Sequence, residues 1–260
     1  MAYRTTATRI DRDQALRQRI LDQALARVIA GGFAIMSAIF SELGIRHMTS
    51  ASGALREGVM WDLIGRHHHK DMRDVTVAQF KRRYHIDTAQ SDRVEKLAQQ
   101  LFAQIKPQTI PASEQDQQLL SWAAALHEIG LSVSHTGYHK HSAYILQYAD
   151  MPGFSKPEQL QLSRLAAAHR GNLAKSLEIS SKQEWARVIA LRLAVMFHRS
   201  RNSMDLPPMQ LVNSDKGFEL RISQQWLGQN PLTATALRHE CDFWHSVGHY
   251  LEVKDETAGH

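Results

Sequence analysis

A single cysteine, Cys241, stands in 260 residues, so no internal disulfide can form and the fold must rest on its core. No apolar run approaches the roughly 20 residues that a membrane-crossing helix needs. The leading MAYRTTATRIDRDQALRQRI lacks the apolar stretch of a secretory signal. It is Arg-rich like a mitochondrial transit peptide, but such peptides avoid acids and this one carries Asp11 and Asp13. Internal repeats and low-complexity tracts are missing as well. These absences set the expectation of a soluble protein of the cytoplasm. With 43% hydrophobic and 22% charged residues, the chain has an ordinary globular composition and is long enough for one large domain or two modest ones.

Charge is unevenly spread within a formal net +5. Residues 1–83 hold 14 Lys/Arg against 8 Asp/Glu, residues 84–204 hold 13 against 10, and residues 205–260 hold 4 against 8. A basic front and middle suit a polyanion, either a phosphate chain or a nucleic acid. No nucleic-acid reading motif accompanies the charge, which makes nucleic acid the less favoured partner.

The apolar pattern is mainly helical. Residues 12–43 read as helix, interrupted near Gly31-Gly32, with Ile35, Ile39 and Leu43 recurring every four positions. A short strand is expected over Ile45–Ser50 and a short helix over Ala54–Leu63. Gly65–Asp74 reads as a polar linker whose three histidines, 67–69, are solvated rather than metal-binding. Helix then dominates from Val75 for more than a hundred residues. Val94, Leu97, Leu101 and Ile105 form one stripe. Leu119, Leu120, Trp122, Ala123 and Leu126 form another, which Gly130 is placed to stop. Ser142–Tyr148 continues as helix. Ser155-Lys-Pro-Glu158 and Ser181-Lys-Gln-Glu184 are capping boxes that open two more helices. After Pro207-Pro208, Met209–Asn213 and Phe218–Ser223 alternate as a hairpin about Ser214–Gly217. A helix of about fifteen residues after Pro231 and a strand over His249–Lys254 complete a ββαβ appendix. Trp226 and Trp244 read as its core.

Chemistry concentrates in Leu126-His127-Glu128-Ile129-Gly130, followed by His135, His139 and His141, with His169-Arg170 ending a later helix. Imidazoles and a carboxylate at neighbouring helix ends can hold a divalent metal, or phosphate oxygens when joined by Lys140 and Arg170. A lone histidine on an apolar face, as at His169, is more often a hydrogen-bonded core residue. His127 at a matching boundary weakens that reading. Lys81-Arg82-Arg83 is the one run of three basic residues, and Arg199 and Arg201 add a second basic pair. The expected phosphate-binding set is therefore Lys140, Arg170, Lys81, Arg82, Arg83, Arg199 and Arg201. The expected metal set is His127, Glu128, His141 and His169.

The His127-Glu128 pair resembles the His-Asp pair of the HD superfamily of metal phosphohydrolases. That pattern also has an early His and a late Asp. Here Ser91-Asp92-Arg93-Val94 contains no histidine, Leu193-Ala194-Val195-Met196 is apolar, and Glu replaces Asp in the pair. The metal chemistry of such a core is thus expected to be degenerate. More specifically, HEIG (127–130), YHKHSAYIL (138–146), PGFS (152–155) and ALREG (54–58) together resemble the C-terminal portion of the exopolyphosphatase/guanosine pentaphosphate phosphohydrolase family, over about residues 10–254.

The resemblance implies a mainly α fold: an HD-like helical domain over 75–204, preceded over 1–66 by a short α/β remnant of an actin/Hsp70-like domain, and followed over 205–260 by the small appendix. It implies a Mg²⁺-dependent hydrolase, active in phosphate metabolism and the stringent response. Such an enzyme releases terminal phosphate from inorganic polyphosphate or from guanosine pentaphosphate (pppGpp), and works as a homodimer. The family's Asp-x-Gly-Ser loop and second Gly-rich phosphate loop have no counterpart here. The expectation is a polyphosphate-binding and dimerisation region without the catalytic site. A self-sufficient HD-type metal-dependent nucleotide phosphohydrolase is the alternative.

Overall fold

The computed structural model describes residues 30–42, 44, 71–105, 114–173, 179, 181–202 and 205–255. The chain divides into two compact units, Met1–Val59 and Met60–His260. In the first, residues 30–42 form a helix that begins just before Gly31-Gly32, while residues 12–29 of the expected helix lie outside the described residues. Gly44 lies beyond it with a left-handed φ of 62°. The strand expected over 45–50, the helix over 54–63 and the histidine triplet lie outside the described residues.

The second unit is mostly helical. α1 (Met72–Arg83) begins three residues before the sequence pattern suggests, because Asp71 caps it, accepting from the Arg73 amide at 2.8 Å. Arg73 is buried, and its guanidinium pairs with Asp71 at 2.6 Å and Glu158 at 2.5 Å while lying 4.5 Å from the centre of the Trp122 ring. These contacts raise the pKa of Arg73 against the opposing effect of its burial. Breaking such a buried pair on one side leaves an uncompensated charge, so the network ties α1 firmly to the helix that starts beside Glu158.

α2 (Thr88–Gln104) and α3 (Glu114–Leu126) carry the two expected stripes inward. Val94, Leu101 and Leu120 are completely buried, and Leu97, Leu119 and Trp122 nearly so. Gly130 does not end α3, which stops at Leu126. It sits in the short 3-10 turn Ile129–Ser132, where a Cβ would fall 2.2 Å from the Tyr138 carbonyl oxygen and 2.4 Å from the Ser142 amide. Glycine is needed there for close backbone approach. α4 runs Tyr138–Tyr148, four residues longer at its start than the pattern alone indicates. Its first turn follows Gly137 in the left-handed region at φ 67°.

α5 (Lys156–Ala168) opens with the full reciprocal capping box of Ser155 and Glu158. α6 (Lys182–Phe197) has only half of its expected box. Ser181 accepts from the Glu184 amide at 3.1 Å, and Glu184 makes no reciprocal bond. Each such cap contributes about 1 kcal/mol.

The appendix matches its alternation. β1 (Met209–Ser214) pairs antiparallel with β2 (Gly217–Ile222), and β3 (Tyr250–Lys254) pairs parallel with β2 in the order β1-β2-β3. A short helix, α7 (Gln224–Gln229), and α8 (Pro231–His245) form the crossover that a parallel pair requires. Phe218, Leu220 and Ile222 alternate inward onto Trp244, which is fully buried and donates to Glu240 at 2.8 Å. The sheet face and the helices share one continuous core. Asn213 donates to the Ile105 carbonyl at 2.8 Å, and Gln104 accepts from the Leu211 amide at 2.6 Å, fastening β1 to the end of α2. Among the described residues, no helix is long and apolar enough to cross a membrane.

Candidate functional site

Two helices end at histidines in the same way. After α3, His127 places Nδ1 2.7 Å from the Ala124 carbonyl; after α5, His169 places Nδ1 2.6 Å from the Ala166 carbonyl. Carbonyls at a helix end lack intrahelical donors, and the imidazoles supply them. A carbonyl can only accept, so each Nδ1 carries the proton and each Nε2 presents a lone pair. Burial lowers the pKa of His127 and holds that of His169 well below the usual range, so both rings are neutral. They meet edge to face with centroids 5.3 Å apart.

The two lone pairs fare differently. His169 Nε2 lies 3.2 Å from the Tyr138 hydroxyl. Burial raises the pKa of that phenol, with Arg170 opposing, so it keeps its proton and donates. His127 Nε2 is buried without a hydrogen-bond partner among the described residues and lies 3.8 Å from a Glu128 oxygen. Ser142 braces this corner, donating to the His127 carbonyl at 2.8 Å and accepting from the Gly130 amide at 2.9 Å.

Beside the histidine pair opens a pocket of about 440 Å³, to which His169, Tyr138, Glu128, Arg170, Arg199 and Arg201 contribute. Arg170 lies over the Tyr138 ring at 4.8 Å. Arg201 holds a left-handed φ of 59°, uncommon for a side-chain-bearing residue, and is fixed there by its bonds. Its guanidinium reaches Glu128 at 2.6 Å and Asp87 at 3.3 Å, while its carbonyl accepts from Arg93 at 3.0 Å. Arg199 is exposed and has no acidic partner among the described residues. With Arg192, the pocket holds four arginines against Glu128 and Glu240, an excess of two positive charges.

Arg192 is absent from the expected set, although a charge inside VIALRLAV is a usable sign. It is 2% exposed. Its guanidinium grips Glu240 through Nε and through Nη2 at 2.8 Å, and donates to the carbonyls of Ala168 at 2.5 Å and Gly171 at 2.9 Å. Those carbonyls flank His169-Arg170, so a single buried ion pair from α6 and α8 sets the position of the loop that carries both. Tyr138, His239 and Phe243 are further pocket residues outside the expected set.

The remaining expected residues lie elsewhere. Lys81, Arg82 and Arg83 occupy the last turn of α1, where cations suit the helix dipole. Lys81 pairs with Asp92 at 3.1 Å, Arg82 bonds to the Ala78 carbonyl at 3.4 Å, and Arg83 lies over Tyr84 at 5.6 Å. Lys140 is exposed in the first turn of α4 and does not line the pocket. Of the expected metal set, His127, Glu128 and His169 are neighbours. No ring contact joins His141 to them among the described residues, nor does any group of three His, Cys, Asp or Glu side chains there suit a metal ion. Cys241 is half-buried, and burial, with Glu240 and Asp242 adding to it, pushes its thiol up to about 11. It is therefore no thiolate nucleophile at neutral pH.

Comparison with known proteins gives this arrangement a setting. Residues 72–241 match the profile of "Ppx/GppA phosphatase, domain III", and residues 2–67 match "Ppx/GppA phosphatase family". The chain is 35% identical over 237 residues to the guanosine-5'-triphosphate,3'-diphosphate pyrophosphatase of Vibrio atlanticus, covering 90% of this chain and 47% of the relative. Against the protein of the same name from Pseudoalteromonas translucida it is 35% identical over 244 residues, 92% of this chain and 48% of the relative. For that from Aeromonas hydrophila the identity is 33% over 226 residues, 85% and 46%. The chain thus spans about half the length of the curated relatives it matches.

Proposed function

Because the chain belongs to the Ppx/GppA phosphatase family, we propose that it supplies the phosphate-gripping region of a phosphohydrolase that removes a terminal phosphate from guanosine pentaphosphate or inorganic polyphosphate. One observation carries this reading. Arg170 and the more distant Arg199 and Arg201 converge on one pocket with a net excess of positive charge. Guanidinium groups suit phosphate oxygens because their fixed fork can form paired, charge-assisted hydrogen bonds. Tyr138 and Glu128 hold two of the three forks in place before any ligand arrives, which lowers the ordering cost of binding.

In this proposal the helical region is a degenerate HD-like domain, with His127-Glu128 standing where a metal-binding pair would be, and residues 1–66 are the end of an actin-like domain. The protein works as a cytoplasmic homodimer. In this pocket the two carboxylates offer no ready cage for Mg²⁺, a hard cation that needs several oxygen ligands, since Glu128 and Glu240 are each engaged by an arginine. The neutral histidine pair supports the phosphate loop rather than cutting the chain.

The test is binding and phosphate release on the same sample, with Mg²⁺ and either pppGpp or long-chain polyphosphate. Salt-sensitive binding without release is expected, with Arg170→Ala and Arg199→Ala each weakening it. Binding unaffected by both replacements would overturn the assignment of the pocket. Phosphate release at enzymatic rates would favour the self-sufficient HD-type phosphohydrolase instead.

A further inference from the structure

The outer face of α4 takes no part in the pocket, and its side chains are unusual for a solvent face. Ser142 and Leu146 of this helix point inward, to the Gly130 turn and the core. Lys140, Tyr144 and Tyr148 follow one another at four-residue spacing on the opposite side, about 6 Å apart along the axis. A solvent face ordinarily carries charged and polar side chains. Here Tyr144 is 66% exposed and Tyr148 62%, with ring centroids 4.8 Å apart, and Lys140 is exposed one turn before them. The charge around this row is positive. Between Ile129 and Gly171 the carboxylates are Asp150, which is exposed, and Glu158, which is buried on Arg73. Lys140, Lys156 and Arg170 are exposed over the same stretch. α4 and α5 run antiparallel: Gln159 donates to the Ala149 carbonyl at 2.8 Å, Ser163 to that of Ala143 at 2.9 Å, and His169 meets Tyr138. Lys156 thus stands toward the Tyr148 end of the row and Arg170 toward the Lys140 end. His139 registers the same field, its pKa lowered first by burial and then by Arg170 and Lys140.

We infer that this face binds single-stranded nucleic acid, with two successive bases on Tyr144 and Tyr148 and the backbone on Lys140 and the cations that flank the row. Every base has a π-face, so exposed rings beside cations hold a strand without reading its sequence, which suits a chain that carries no base-reading motif. An inorganic phosphate chain would use the cations and leave the rings idle. A protein partner would draw on a contiguous apolar patch, and this face offers none: the rings stand among Lys140, His141 and Gln147, all polar and at least partly exposed. The inference is independent of the phosphate-binding reading, because Lys140, Tyr144 and Tyr148 do not line that pocket.

The test is fluorescence anisotropy of a labelled oligouridylate of about 12 nucleotides, titrated with the full chain at low salt. Binding that weakens as salt rises is expected. Tyr144→Ala and Tyr148→Ala are each expected to weaken it at least about fivefold, the scale of one base–aromatic stack. Tyr144→Phe and Tyr148→Phe keep the rings and are expected to stay within about twofold, which separates stacking from a contact through the hydroxyl. An abasic strand of the same length makes the comparison on the unaltered protein, so the test survives a folding failure of any variant. It is expected to bind at least about tenfold more weakly than oligouridylate. Equal affinity for the two strands, or oligouridylate binding unchanged in the double Tyr144→Ala/Tyr148→Ala variant, would overturn the inference. So would a dimer that the double variant dissociates in sedimentation velocity, since a second copy would then cover the face. Inorganic polyphosphate is expected to bind the double variant as it binds the unaltered protein. A matching loss of polyphosphate affinity would assign the face to the phosphate chain and overturn the nucleic-acid assignment.

Discussion

Replacing Glu240 by Gln removes one charge from the molecule and isolates another. Arg192 is 2% exposed and Glu240 is its only ionic partner among the described residues, engaged through two guanidinium nitrogens. Gln can still accept from Trp244 and from one nitrogen of Arg192, so shape and hydrogen bonding are largely kept. What is lost is the compensation of a buried cation, and such single-sided breaks cost about 3–5 kcal/mol. For a unit of this size each kcal/mol shifts Tm by about 2–4 °C, so a fall of about 6–20 °C is expected. Thermal melts and urea midpoints followed by circular dichroism measure it. The double replacement Arg192→Met/Glu240→Leu is expected to recover most of the loss, since apolar substitutes for a buried pair are often neutral or better. Asp242→Asn, a charge change at an exposed site two residues away, is expected to stay within about 0.5 kcal/mol. If E240Q lost less than about 1 kcal/mol, the guanidinium would not depend on its partner. The claim that this pair sets the His169-Arg170 loop would then fall.

Three further outcomes follow from other parts of the molecule. Gly130→Ala forces a methyl onto the backbone of Tyr138 and Ser142 and is expected to destabilise by about 3 kcal/mol or more, read from the same urea midpoints. Arg199→Ala is expected to leave the urea midpoint unchanged, because this exposed side chain has no acidic partner among the described residues. It should lower the magnitude of the log–log salt slope of phosphate-chain binding by somewhat less than one unit. Acid should weaken the fold through its histidines. His127 and His169 have native pKa values below the unfolded value of about 6.5, so their contribution is whole above that pH and declines as pH falls toward the native values. Each adds up to about 1.4 kcal/mol per pH unit, and the less buried His139, His198 and His249 shift the same way. Urea midpoints that stay flat from pH 7.5 to 5.5 would mean the pair is not held neutral.

Much of the fold is legible in the sequence because it rests on local rules. The Val94–Leu101 stripe, the Ser155–Glu158 box and the 209–222 hairpin each follow from spacing within a few residues, and each stands as expected. Where the fold departs from the local pattern, a distant partner decides the matter. Gly130 looks like a helix stop because glycine often is one, yet its reason is the backbone of α4 eight and twelve residues on. The local pattern starts this helix only at Ser142, yet it begins at Tyr138, which is buried against His169 thirty-one residues away.

The site shows the same division in sharper form. Sequence ranks cations by density, which favours the run Lys81-Arg82-Arg83, and density is what a solvated helix end also produces. A ligand needs cations that converge on one pocket in excess of its carboxylates. Convergence is a property of the fold: it selects Arg170, Arg199 and Arg201, of which only the last two are near in sequence. The residue that makes convergence possible, Arg192, is least visible of all, because a buried charge in an apolar helix departs from pattern until its partner on α8 is known. Glu240 and Arg192 lie 48 residues apart, and no window short enough to show periodicity contains both. Isolated charges inside apolar helices, paired by opposite sign across the chain, are the signal that links them. That signal leads to the pocket through the ion pair that supports it rather than through the residues that would touch a ligand.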